Sequence, residues 1–165
     1  PSTLYVGLEY DVVYKSINGG ESWSKVGSGL TRSGIFSLAI DPENPSTLYA
    51  GTNGGGIYKT DNGGQNWAEI NNGITNRYIY SLAIDPQTPG TLYAGTKDGV
   101  FLSINGGASW QAASKGLPEE PTIRSIAIDP HDPTTLYAGT EGLGLFRGQR
   151  GAGGSHLYIP MLYKE

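Results

Sequence analysis

Ile35-Phe36-Ser37-Leu38-Ala39-Ile40-Asp41-Pro42-Glu43-Asn44-Pro45-Ser46-Thr47-Leu48-Tyr49-Ala50-Gly51-Thr52 is the stretch on which the fold turns. Large and small residues alternate through Ile35–Ile40, as in a strand with two unlike faces. Asp41-Pro42 ends it, because proline has no N–H to give a ladder. After a turn at 43–46, a second strand runs through Thr47–Thr52. The same text then returns. Leu/Ile-Ala-Ile-Asp-Pro stands at 38–42, 82–86 and 126–130, and Thr-Leu-Tyr at 3, 47, 91 and 135, each step being 44 residues. A fixed period of that length marks a repeat architecture.

Working outward, Gly54-Gly55-Gly56 turns the chain into a third strand, Ile57–Thr60. Asn62-Gly63 is a hairpin signal, since type I′ turns need left-handed backbone. A fourth strand starts near Trp67 and ends before Asn71-Asn72-Gly73. Four short antiparallel strands per period of about 40–45 residues is the pattern of a propeller blade. One blade cannot bury both faces alone, so blades stack around an axis. The expected fold is all-β, a partial propeller of about three and a half to four blades that self-association would complete. Units fall at 1–34, 35–78, 79–122 and 123–147. The first lacks its opening strand and the fourth its closing one, so the repeats give fourteen strands. The repeated tyrosines 5, 49, 93 and 137 and tryptophans 23, 67 and 110 read as packing between blades.

Composition sets outer limits. The chain has 165 residues with 26 Gly and 10 Pro, and most of these sit in the repeated turns. It has no Cys, which removes disulfides and thiolate metal sites. Only His131 and His156 are present, so a histidine-rich metal site is out. Net charge is −4, so a basic nucleic-acid footprint is missing. No apolar run approaches the ~18 residues of a membrane span. The chain opens without Met, which reads as a processed product or a fragment. No metal or cofactor is expected.

A third repeated element decides the family likeness. It reads Ser16-Ile17-Asn18-Gly19-Gly20-Glu21-Ser22-Trp23 and returns as Thr60–Trp67 and Ser103–Trp110. The last step is 43, because the turn before Phe101 is one residue shorter. This element resembles the Asp-box (BNR repeat) of sialidases, sortilin-type receptors and xyloglucanases, whose pattern is Ser-x-Asp-x-Gly-x-Thr-Trp. Asn18, Asn62 and Asn105 stand at its Asp position. Gly20, Gly64 and Gly107 match its Gly, and the three Trp match its Trp. With Leu-Ala-Ile-Asp-Pro and Thr-Leu-Tyr-Ala-Gly-Thr, the repeats also look like those of xyloglucanases and photosystem II assembly factors. The resemblance covers residues 1 to about 147. It implies a propeller and makes the boxes structural turns; it does not choose a function, because one fold serves many.

The chain ends are the second source of expectation. Residues 148–155 read as a Gly-rich linker. Residues 156–165 follow as an apolar, β-prone tail with Leu157, Tyr158, Ile159, Met161, Leu162 and Tyr163. The tail resembles short tails that close many exported bacterial proteins. It has three placements: as the missing fourth strand of the last unit, as the missing first strand of unit one, or as a strand donated to a second chain. The last would give a dimer or an open filament.

Candidate site residues lie on the loops that differ between units. These are Tyr10, Asp11, Lys97, Asp98 and Glu141 between second and third strands, and Arg32, Arg77, Tyr78, Glu119 and Glu120 between units. Position 36/80/124 reads Phe, Tyr, Arg, so Arg124 breaks an aromatic series near the channel mouth. A glycosidase needs two carboxylates about 5–10 Å apart across a cleft. Adjacent Glu119 and Glu120 cannot flank a sugar by themselves, and Asp41, Asp85 and Asp129 recur as turn caps. No catalytic constellation stands out. The reading is a non-enzymatic, exported or cell-surface propeller module that self-associates and takes a glycan or peptide. The competing readings are a C-terminal piece of a xyloglucanase-type glycoside hydrolase and a receptor-like propeller.

Overall fold

The computed structural model describes residues 2–30, 34–117 and 121–151, with the backbone of 157–158, and every regular element in them is a β-strand. The first blade is β1 (Leu4–Gly7), β2 (Val13–Ser16) and β3 (Ser24–Val26). The second is β4 (Ile35–Ile40), β5 (Leu48–Thr52), β6 (Ile57–Thr60) and β7 (Ala68–Glu69). The third is β8 (Ile79–Ile84), β9 (Leu92–Thr96), β10 (Gly99–Ser103) and β11 (Gln111–Ala112). The fourth is β12 (Ile123–Ile128), β13 (Thr135–Thr140), β14 (Gly144–Arg150) and β15 (Leu157–Tyr158). Each is an antiparallel meander in its own sheet. The molecule is thus a run of four propeller blades.

One expectation about the C-terminal end needs correction. The third strand of the last blade does not stop at Arg147. It continues to Arg150, three residues into the stretch read as linker. Opposite it, β13 begins at Thr135, and Thr135 pairs with Gln149, so the longer ladder has a partner over its length. The tail then meets β14 of its own chain, with Gln149 opposite Tyr158 and Arg150 opposite Leu157. That is the first of the three placements, and among the described residues it adds a fifteenth strand to the fourteen of the repeats. His156, Ile159, Met161, Leu162 and Tyr163 lie outside the described residues.

The core lies in the seams between blades. Each of three clusters draws on neighbouring blades, for example Tyr49 and Ile57 from the second with Ile79, Leu92 and Trp110 from the third. The glycines Gly7 of β1, Gly51 of β5 and Gly95 of β9 make this approach feasible. A Cβ at Gly51 would stand 2.7 Å from Ile79 Cγ2, and one at Gly95 2.8 Å from Ile123 Cγ2. Gly7 meets Ile35 in the same way. Ile79 and Ile123 are fully buried as a result, each worth about 2 kcal/mol of apolar burial. The serines of β4 and β8 add a polar link. The Leu82 N–H donates to Ser37 Oγ at 2.9 Å, and the Ile126 N–H to Ser81 Oγ at 3.0 Å.

The Asp-box turns bond as their residue types require. The Gly20 N–H donates to Ser16 Oγ and the Ser22 N–H to Asn18 Oδ1, at 2.9 and 3.0 Å, and both other boxes repeat the pair. Left-handed backbone falls on Gly63 and Gly64, at φ 67° and 90°. Both are conformations that glycine enters without a Cβ penalty. Two tryptophans are buried in seams, Trp67 at 6% and Trp110 at 5% exposure, but Trp23 is 42% exposed. The expectation of seam packing therefore holds for two of the three; among the described residues no neighbouring blade covers Trp23.

Candidate functional site

The opening strands of the second, third and fourth blades each carry a register irregularity between Ile35 and Ser37, Ile79 and Ser81, and Ile123 and Ser125. The extra residue is Phe36, Tyr80 or Arg124. A bulge re-aims the side chain of the residue it inserts. Here it lines up one residue from each of three blades. Phe36 stacks on Tyr80 with centroids 5.7 Å apart and planes 20° from parallel. The Arg124 guanidinium lies 4.1 Å from the Tyr80 centroid. Arg124 also donates from Nη2 and Nε to Glu141 Oε2, at 2.7 and 3.1 Å. The result is a ladder, Phe36–Tyr80–Arg124–Glu141, crossing two seams.

The structure brings Arg124 and Glu141 together and sends the other candidates elsewhere. Arg77 Nη1 reaches Glu69 on β7, at 3.2 Å, while Arg124 sits on β12, an opening strand. Each arginine has its own carboxylate, Glu69 for Arg77 and Glu141 for Arg124. Tyr78 is 45% exposed beside the Gly54 turn. Asn76 donates to Asp98 at 2.7 Å. Asp11 accepts from Lys25 at 2.6 Å and from Tyr14 at 3.0 Å, beside the fully exposed Tyr10. Lys97 lies at the turn between β9 and β10, where its carbonyl accepts from Thr122. Arg32, Glu119 and Glu120 lie outside the described residues.

The charges of this region are settled rather than poised. The Lys25 ammonium holds the Asp11 carboxyl below the usual range, and Arg77 does the same to Glu69. A catalytic acid needs the opposite displacement, toward neutral pH. Among the described residues no group of three or more histidine, aspartate or glutamate side chains converges as a metal site. Among the described residues no helix is long and apolar enough to cross a membrane.

Surface grooves follow the repeat. One of about 250 Å³ lies on Trp67 with Lys59 and Asp61, and another of about 250 Å³ lies on Trp110 with Leu102 and Ile104. The grooves occupy equivalent places, but their charged residues are replaced by apolar ones. A third, about 210 Å³, lies between β1 and β4, beside Tyr5, Gly7 and Phe36.

One cluster was not foreseen. Asp85 is fully buried and ion-paired to Arg150 at 3.1 Å, while its Oδ1 accepts the Gln87 and Thr88 N–H groups. The buried Tyr93 hydroxyl sits beside the same guanidinium without a well-formed hydrogen bond. Burial pushes that hydroxyl's pKa up. Leu102 stands where the earlier blades have Lys15 and Lys59, and the buried Asp85 draws its counter-ion from the end of β14 instead.

The architecture defines an incomplete β-propeller, and solved structures bear this out. The chain is similar to an ancestral GH74 enzyme, with TM-score 0.79 and 24% identity over 99% of this chain and 23% of that one. It is also similar to YCF48 bound to D1 peptide, with TM-score 0.65, 15% identity, and 96% and 50% covered. An auxiliary nutrient binding protein from Bacteroides thetaiotaomicron matches with TM-score 0.68, 16% identity, and 96% and 38% covered. At these identities the likeness is one of fold. The chain spans a quarter to a half of these proteins. No protein-family model and no curated protein matches the sequence.

Proposed function

We propose that the chain is a non-enzymatic propeller module, exported to the cell surface or beyond, that self-associates and offers the Phe36–Tyr80–Arg124–Glu141 ladder as its recognition face. The observation that carries this is the ladder itself. It joins three blades at the end where loops vary, and it combines aromatic edges with a paired cation and anion. Such a surface suits an extended peptide or a glycan, which need stacking and hydrogen bonds rather than a deep cavity. Asp11, Glu69 and Glu141 are each paired with a cation, which supports binding over hydrolysis.

The test is a glycan and peptide array run beside a hydrolysis assay on xyloglucan. Binding without release of reducing sugar is expected, weakened at least tenfold by Tyr80→Ala. Sugar release abolished by Glu141→Gln would overturn the reading. The likeness to the GH74 fold favours a second reading, in which the chain is the closing part of a larger hydrolase whose acids lie on other blades. Under it the chain alone neither binds nor hydrolyses, and activity returns when further 44-residue units are added.

A further inference from the structure

The first two seams share a clamp. Tyr5 Oη and Lys15 Nζ both donate to the Gly63 carbonyl in the second blade's Asp-box, at 3.3 and 3.4 Å. Tyr49 and Lys59 do the same to the Gly106 carbonyl of the third, at 3.4 and 3.2 Å. In each clamp the ammonium also lies over the tyrosine ring, 5.2 and 5.3 Å from its centroid. Each tyrosine faces its cation across the ladder, Tyr5 opposite Lys15 and Tyr49 opposite Lys59.

The fourth blade repeats this pair, with Tyr137 opposite Arg147. The Tyr137 hydroxyl has no hydrogen-bond partner among the described residues. Arg147 is exposed; among the described residues it makes one long bond, to Thr135 Oγ1 at 3.4 Å, and its charge is felt by the exposed Asp132 carboxylate. At the other end, the first blade has an Asp-box without a clamp. Gly19 occupies the position of Gly63 and Gly106, yet it is exposed, and a Cβ there would meet nothing within 4 Å. Trp23 in the same box is half exposed, where Trp67 and Trp110 are buried. One end of the chain carries a free clamp and the other a free turn.

Resting on the self-association reading, we propose that the fourth blade's clamp docks on the first blade's Asp-box of a second copy. Tyr137 and Arg147 donate to the Gly19 carbonyl, and Trp23 is covered by the outer strands of the facing blade. The chemistry is that of the two internal seams. The third seam shows that a seam's outer and inner contacts are separable, since it has no Asp-box and keeps its inner glycine and serine contacts. The interface is heterologous, so two copies close a ring only if both docking events fit; otherwise an open chain grows.

Light scattering over a concentration series tests it. The wild type should exceed the mass of one chain, 17.5 kDa. Arg147→Glu and Trp23→Ala should each give single chains with an unchanged unfolding midpoint. Mixing the two variants should restore a two-chain species, because each retains the end the other lacks. A wild type of single-chain mass at every concentration would overturn both this docking and self-association. A wild type that assembles alongside unchanged variants would overturn the docking alone and leave another surface, such as the tail, to carry assembly.

Discussion

Between the second and third blades Tyr49 and Lys59 grip a peptide carbonyl; between the third and fourth, Arg150 grips the carboxylate of Asp85. The first grip is made from residues in the middle of strands, and its target is a turn of the next blade. The second reverses direction: the fourth blade reaches back to a turn of the third. The difference follows from what each blade contains. With no Asp-box in the fourth blade, a lysine at Leu102 would have nothing to hold. The third seam also places full charges in its interior. A cation–carbonyl contact can be lost with modest effect, whereas a buried carboxylate cannot easily lose its counter-ion.

The contrast is sharpest in Arg150→Met. Losing the partner of fully buried Asp85 should cost about 3–5 kcal/mol, read as a lower urea midpoint. Gly51→Ala and Gly95→Ala should come next, because both seams share the glycine–isoleucine approach. Each should lose about 1–3 kcal/mol by overpacking, and near-equal losses are expected despite the different outer contacts. Lys59→Met should cost only about 1 kcal/mol in the same titration. A loss as large as that of Arg150→Met would erase the distinction between the seams.

A last effect should appear only in alkali. Burial, with Asp41 nearby, pushes the Tyr49 hydroxyl up to about 12, against about 10 when unfolded. The folded state prefers the neutral phenol. Its contribution is therefore full below pH 10 and is lost as pH rises from 10 to 12. Tyr49→Phe should flatten that part of the stability profile, followed by thermal melts across the range.

Much of this was legible in the sequence. The opening strands Ile35–Ile40 and Ile123–Ile128 and the short third strand Ile57–Thr60 fall where alternation and turn residues put them. The bulges at Phe36, Tyr80 and Arg124 were not legible, because a register shift changes pairing without changing composition. Arg124 and Glu141 could be named as variable-loop candidates, but their union through Tyr80 depends on how neighbouring blades sit. Arg150 was hidden by its neighbours: Gly148, Gly151 and the residues after them look like a linker, and the pull of Asp85 and the ladder with β13 is tertiary. Trp23 reads like its two counterparts, and only the lack of a covering blade sets it apart.

The repeated clamp has a consequence for size. Tyr5 with Lys15 and Tyr49 with Lys59 recognise the same carbonyl, so a seam carries no record of how many seams came before it. Such a contact can extend an array but cannot count it. The number of blades in a finished assembly must then be set by the angle between successive sheets and by where the array first meets its own beginning. Duplication or loss of a 44-residue unit would leave every local contact chemically familiar and change only the circumference.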